Sequence, residues 1–100
     1  MATWTIEYVY DERSEARDLH RPTHREYLAA LADEGTMLGY GRYDDESAPG
    51  ALLVCEADSR ADVESIVAGD PFVAAALVPE YRIRRWAATF AKSLSSRLEA

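Results

Sequence analysis

Apolar residues in this chain recur at every second position, then at every third or fourth, then at every second again, and this switching of period constrains the fold more than any single motif. From Thr3 to Tyr10, the side chains of Trp4, Ile6, Tyr8 and Tyr10 alternate with Thr5, Glu7 and Val9, which predicts a first strand with one better-buried face. Residues 11–20 are mostly charged and carry only Ala16 and Leu19 as apolar side chains, so they read as a loop with at most a turn of helix. Pro22 then suits the first turn of a helix that runs to about Glu34 and stops at Gly35, with His24, Tyr27, Leu28 and Leu31 on its inner stripe. Met37–Tyr43 predicts a second strand in spite of Gly39 and Gly41, and Ala51–Ala57 is almost continuously apolar, as a central strand covered on both faces is. Ser59, with Asp62 three residues on, caps a second helix whose inner face is Val63, Ile66 and Val67 and whose end is Gly69. Asp70-Pro71 opens a short helical turn through about Leu77, Pro79 breaks it, and Tyr81–Trp86 forms the last strand.

The order strand, helix, strand, strand, helix, strand is the α+β, ferredoxin-like βαββαβ pattern: one antiparallel sheet with both helices on one face. The other face needs cover, and a second copy of the chain is the expected cover. Trp86, Phe90, Leu94 and Leu98 recur every four residues, which predicts a domain over 1–86 followed by a helical tail over 87–100.

Eighteen acidic against eleven basic residues give a net charge of −7, which argues against nucleic acid and anionic membranes as partners. The one dense basic cluster, Arg82, Arg84 and Arg85, would point to both faces of a strand; it reads as solvated edge charge or as a local anion site. Cys55 is the single cysteine, set in an apolar run, and is expected to be a buried, inert thiol. No basic start with an apolar stretch and no bilayer-length apolar run is present, so the chain reads as cytoplasmic.

Two short segments carry the chemistry. Asp70-Pro71-Phe72 reads first as a helix cap with proline at the first helical position. Arg21-Pro22-Thr23-His24 supplies an imidazole on an inward stripe, which by itself is more often a hydrogen-bonded core residue than a catalyst. Arg21 either fixes a substrate oxyanion or carboxylate or merely screens acidic neighbours. His20 and His24 have a metal-like spacing, but Pro22 lies between them and no matched third ligand is evident, so no metal site is expected. No GxSxG, Walker-type loop, GxGxxG or HExxH occurs, and no cofactor is implied.

Taken together, Arg21, His24, Tyr27-Leu28, Leu31, Gly35, Gly41, Gly50, Asp70-Pro71-Phe72, Ile83 and Trp86 resemble the YciI-like (YCII-related) family over roughly Trp4 to Trp86. The resemblance implies a dimeric α+β barrel in which two sheets pair. It also implies a catalytic dyad of His24 and Asp70, the Asp fixing the imidazole tautomer. With His24 in the first helical turn, the positive end of the dipole and the carboxylate would act on the imidazolium in opposite senses, which suits a base. Substrate contacts are expected from Arg21, Tyr40, Gly41 and Phe72, with Tyr8 and Tyr43 as further walls, and Gly41 is expected to leave room that any Cβ would fill. A family member is a dehydrochlorinase of a chlorinated hydroxyhydroquinone. The reading is therefore a lyase- or hydrolase-type enzyme acting on a small cyclic or aromatic oxygenated molecule. A non-catalytic dimeric module that binds a metabolite or a protein is the alternative. Two positions depart from the family pattern: Arg42 stands where proline is common, and Ala76 where a glycine is often found.

Overall fold

The computed structural model describes residues 1–91. Its elements are β1 (Ala2–Val9), α1 (Ser14–Asp33), β2 (Met37–Arg42), β3 (Gly50–Ala57), α2 (Arg60–Gly69), α3 (Pro71–Ala74) and β4 (Glu80–Trp86). The strands form one antiparallel sheet in the order β2-β3-β1-β4, the ferredoxin-like arrangement.

The period-two alternation sets which face is buried. Trp4, Ile6 and Tyr8 of β1, Ala51, Leu53, Cys55 and Ala57 of β3, and Ile83 of β4 are buried against the helices, where Leu28, Val63 and Val67 meet them. Trp4 donates its indole N–H to the Ala57 carbonyl at 3.0 Å, so its place is in this core and not at an outer contact. On the opposite face β3 is not covered as its apolar run predicts: Leu52 is exposed and Val54 half-buried. Thr5, Glu7, Arg82, Arg84 and Trp86 share that face by register.

The largest departure from expectation is the first helix. It begins at Ser14 and carries Pro22 in its interior, so residues 14–20 are helix and not loop. What holds this polar first half is a buried arginine. Arg17 is 2% exposed, its guanidinium donates to Asp11 Oδ1 at 3.0 Å and to the Leu77 carbonyl at 3.2 Å, and it lies 4.5 Å from the Tyr10 ring centroid. An interior proline forfeits the bond to the carbonyl four residues back. The flanking anchor keeps the helix continuous through it.

Helices α1 and α3 end alike. After α1, Gly35 is left-handed (φ 82°), with Gly35 N–H on the Ala32 carbonyl and Thr36 N–H on the Leu31 carbonyl, both at 3.0 Å. After α3 the same pair of bonds runs from Ala76 to Val73 and from Leu77 to Phe72, both at 2.9 Å, but the left-handed residue (φ 58°) is Ala76. Ser59 caps α2 as expected, accepting from Asp62 N–H at 3.2 Å. The tail shows no helix over 87–91, where Phe90 packs edge-on to Trp86; Leu94 and Leu98 lie outside the described residues. No helix of the described residues is long and apolar enough to cross a membrane.

Candidate functional site

Asp70 lies between α2 and α3 and has no exposed surface. Three donors converge on its carboxylate: Phe72 N–H on Oδ1 at 2.9 Å, His24 Nδ1–H on Oδ1 at 2.8 Å, and the Tyr8 hydroxyl on Oδ2 at 2.8 Å. One oxygen thus serves both as helix cap and as histidine partner, and the other is taken by a residue expected only as a wall. Tyr8 reaches it because alternation in β1 points every second side chain at the helices, and Tyr8 stands two positions beyond Ile6 on that face. Burial, then the charge of Asp70, pushes the Tyr8 phenol far above its ordinary value, so it stays a neutral donor.

His24 sits mid-way along α1, ten residues past Ser14, and not in a first turn. The end of the helix dipole therefore does not act on it, and Asp70 is the charged group to which it is hydrogen-bonded. What brings the two together is the packing of α1 on α3 and the reach of the Tyr27 side chain from α1 to the end of α2. A Cβ at Gly69 would stand 2.7 Å from the Tyr27 hydroxyl, which donates to the Ile66 carbonyl at 2.6 Å. Gly69 lets Tyr27 seat against α2, and His24, one turn earlier on α1, then meets Asp70, the residue after Gly69. On its other side the imidazole stacks on Phe72, with ring centroids 3.9 Å apart and planes within 4°. Phe72 is fully buried and holds the imidazole from behind; it does not line the cavity described next.

A cavity of about 210 Å³ opens between α1 and the β2–β3 side of the sheet. Helix α1 lines it with Arg21, His24, Arg25 and Leu28. The sheet side contributes Tyr10, Tyr40, Gly41, Arg42, Ala51 and Leu53. Of the residues expected to contact a substrate, Arg21, Tyr40 and Gly41 are brought here with His24. Tyr8 and Tyr43 are not: Tyr8 is behind Asp70, and Tyr43 bonds Glu7 at 2.8 Å. The expectation for Gly41 is overturned by the register: Gly41 pairs with Leu52, so an added Cβ would stand on the outer face of the sheet, where it meets nothing within 4 Å. Crowding falls instead on Gly50, whose Cβ would come to 2.5 Å from the Tyr8 carbonyl oxygen in the β1–β3 ladder, and on Gly69.

A carboxylate has no proton to give, so Nδ1 carries the hydrogen and Nε2 the lone pair. Nε2 has no partner within the described residues, yet no buried side-chain nitrogen or oxygen among those residues is left unpaired, so Nε2 keeps access to the cavity solvent. Tyr10, raised to about 12 by burial and then by Asp70, adds a neutral phenol to the wall. Tyr10 and Arg25 were not singled out by sequence reasoning, and Tyr8 was expected as a wall and not as a partner of Asp70; the alternation of β1 and the i, i+4 spacing of Arg21 and Arg25 were the available signals. Among the described residues, no group of three or more His, Cys, Asp or Glu stands close enough to hold a metal ion.

The model of the YCII-related domain matches residues 1–87. The chain belongs to the YCII-related family. Among solved structures, this YCII-related chain is similar to 5-chloro-2-hydroxyhydroquinone dehydrochlorinase (TftG) from Burkholderia phenoliruptrix AC1100, in complex with 2,5-dihydroxybenzoquinone: 26% identity and a TM-score of 0.72, over 91% of this chain and 97% of that one. An antibiotic biosynthesis monooxygenase (18% identity, TM-score 0.55, 90% of this chain and 100% of that one) shares the fold. So does PA3566 from Pseudomonas aeruginosa (17%, TM-score 0.54, 89% and 95%). No curated protein matches the chain.

Proposed function

We propose that this YCII-related protein is a lyase-type enzyme that moves protons on a small hydroxylated ring, with His24 as the base and Asp70 as the residue that orients it. The observation that carries the reading is the histidine held through Nδ1 on a fully buried carboxylate at 2.8 Å while Nε2 keeps access to the cavity. The likeness to a dehydrochlorinase that binds a dihydroxybenzoquinone supports the substrate class.

In this reading Nε2 takes a ring hydroxyl proton and returns it to the ring carbon that bears a leaving group. It then takes a second hydroxyl proton as the leaving group departs with its bonding pair. The ring loses one proton and one anion in total, no outside oxidant is called for, and the imidazolium passes its proton to water. Asp70 fixes the tautomer and supports the positive charge that His24 gains. Tyr8 holds Asp70 in place.

The test is chloride release from chlorinated hydroxyhydroquinones, with product followed by absorbance. Turnover is expected in the wild type and is expected to vanish in His24→Ala. If these compounds bind but are returned unchanged, the protein is a binding module and the enzymatic reading falls.

A further inference from the structure

Three guanidinium groups, Arg21, Arg25 and Arg42, line one cavity in a chain of net charge −7, and among the described residues no acidic side chain lines it with them. Their arrangement is unfavourable for an empty site. Arg21 and Arg25 are i, i+4 neighbours on α1, a repulsive pairing for like charges. Arg21 has Asp18 at 3.0 Å as counter-charge. Arg25 and Arg42, like Arg84 and Arg85 of β4, are in none of the ion pairs or side-chain hydrogen bonds formed among the described residues, whereas Arg13, Arg17, Arg60 and Arg82 all are; unlike Arg84 and Arg85, they line the same cavity as His24. Arg42 comes from the other wall: it pairs with Ala51 across the β2–β3 ladder, so its side chain shares the helix-facing side with Ala51 and Leu53.

Beneath this cationic rim the cavity is apolar, with Leu28, Ala51 and Leu53 on its floor and Tyr10 and Tyr40 at its sides. A cavity of about 150 Å³ accommodates benzene. The space of about 210 Å³ here suits one substituted ring. A bare inorganic anion would satisfy the rim and leave the floor unfilled; a neutral ring would fill the floor and leave the rim unsatisfied.

We propose that Arg25 and Arg42 make this cavity selective for a monocyclic aromatic or quinonoid anion, a ring that carries a carboxylate or an ionised oxygen in addition to the hydroxyl presented to His24. The inference rests on the reading that this cavity is the reacting site, and it adds the charge of the substrate and the two residues that read it. Arg42 occupies the position where the family resemblance implies proline, so this charge selection belongs to this chain and need not extend to its relatives.

A matched pair of ligands tests it: 2,5-dihydroxybenzoate and its neutral amide have the same ring, the same hydroxyls and nearly the same shape. Dissociation constants are measured by NMR titration on the wild type, Arg25→Gln, Arg42→Gln and the double variant. Both side chains are exposed and unbonded within the described residues, so the variants are expected to fold, which circular dichroism checks. The wild type should bind the acid at least about tenfold more tightly than the amide, and added salt should narrow the gap. Each single variant should lose part of that preference, and the double variant should bind the two ligands alike with its affinity for the amide unchanged. Arg42→Lys should keep most of the preference. Equal affinity of the wild type for both ligands, no binding of either at millimolar concentration, or a preference that survives in the double variant overturns the proposal. Charge-selective binding without any chloride release would instead leave this inference standing and remove the enzymatic reading; chloride release with no charge selection would do the reverse.

Discussion

Asp70 is a buried carboxylate whose partners are unequal in what their loss would do. Replacing it with asparagine keeps its size and keeps Oδ1 for both Phe72 N–H and His24 Nδ1–H; the new amide would face Tyr8, whose hydroxyl can rotate to accept. Asp70→Asn should therefore cost about 1 kcal/mol of stability or less, while turnover falls roughly 100-fold or more because nothing supports the imidazolium. Tyr8→Phe should behave in the opposite way. It leaves Oδ2 buried without a donor, at about 1–3 kcal/mol, and reduces turnover less than Asp70→Asn does. Urea unfolding and chloride release measured on both variants separate the two effects, and a stability loss in Asp70→Asn as large as in Tyr8→Phe would contradict the assignment of roles.

The two left-handed helix ends, Gly35 after α1 and Ala76 after α3, show how closely local rules and their exceptions sit together. The same bond pattern stands at both ends, but at Ala76 a Cβ occupies a conformation that disfavours it. Ala76→Gly should raise stability by about 0.5–1 kcal/mol, the relief of strain being partly offset by the freer unfolded chain, and should lift Tm by a few degrees in a thermal melt. An unchanged or lower Tm would mean that this turn is not strained. The strands, the capped second helix and the Asp70-Pro71 turn were legible because each follows a periodicity or a capping preference that local chemistry enforces. So was the Asp70–His24 meeting, through the family resemblance. Residues 14–20 were not legible, because their anchor is Arg17, a charged side chain whose burial depends on Asp11 and on the distant Leu77 carbonyl. Tyr8 was misplaced for a related reason: alternation tells which face it is on, not which atom it meets 62 positions away.

The helices cover one face of the sheet and leave the other to solvent in a single chain, with Trp86 and Leu52 exposed on it and Val54 half-buried. We propose that a second copy covers this face, as the family resemblance implies. The Arg82–Glu7 pair at 3.0 Å lies on the same face, so such a contact would be apolar in patches and ionic in others. Light scattering at micromolar concentration should give twice the 11.2 kDa of one chain, and Leu52→Glu should shift the population toward the monomer. A wild-type mass of one chain would rule the pairing out. The candidate cavity is on the helix side of the sheet, so a monomeric Leu52→Glu variant is expected to keep its ligand affinity.

Asp70 Oδ1 accepts from a backbone amide and from an imidazole at once, one on each lone pair, and because both donors draw on the charge of the same oxygen the two bonds are coupled. Whatever engages Nε2 alters how hard Nδ1–H pulls on that atom, and the change must be felt at the Phe72 amide. The first turn of α3 thus acts as a built-in gauge of occupancy: the Phe72 amide resonance reads out from the backbone what is happening on the far edge of the histidine ring.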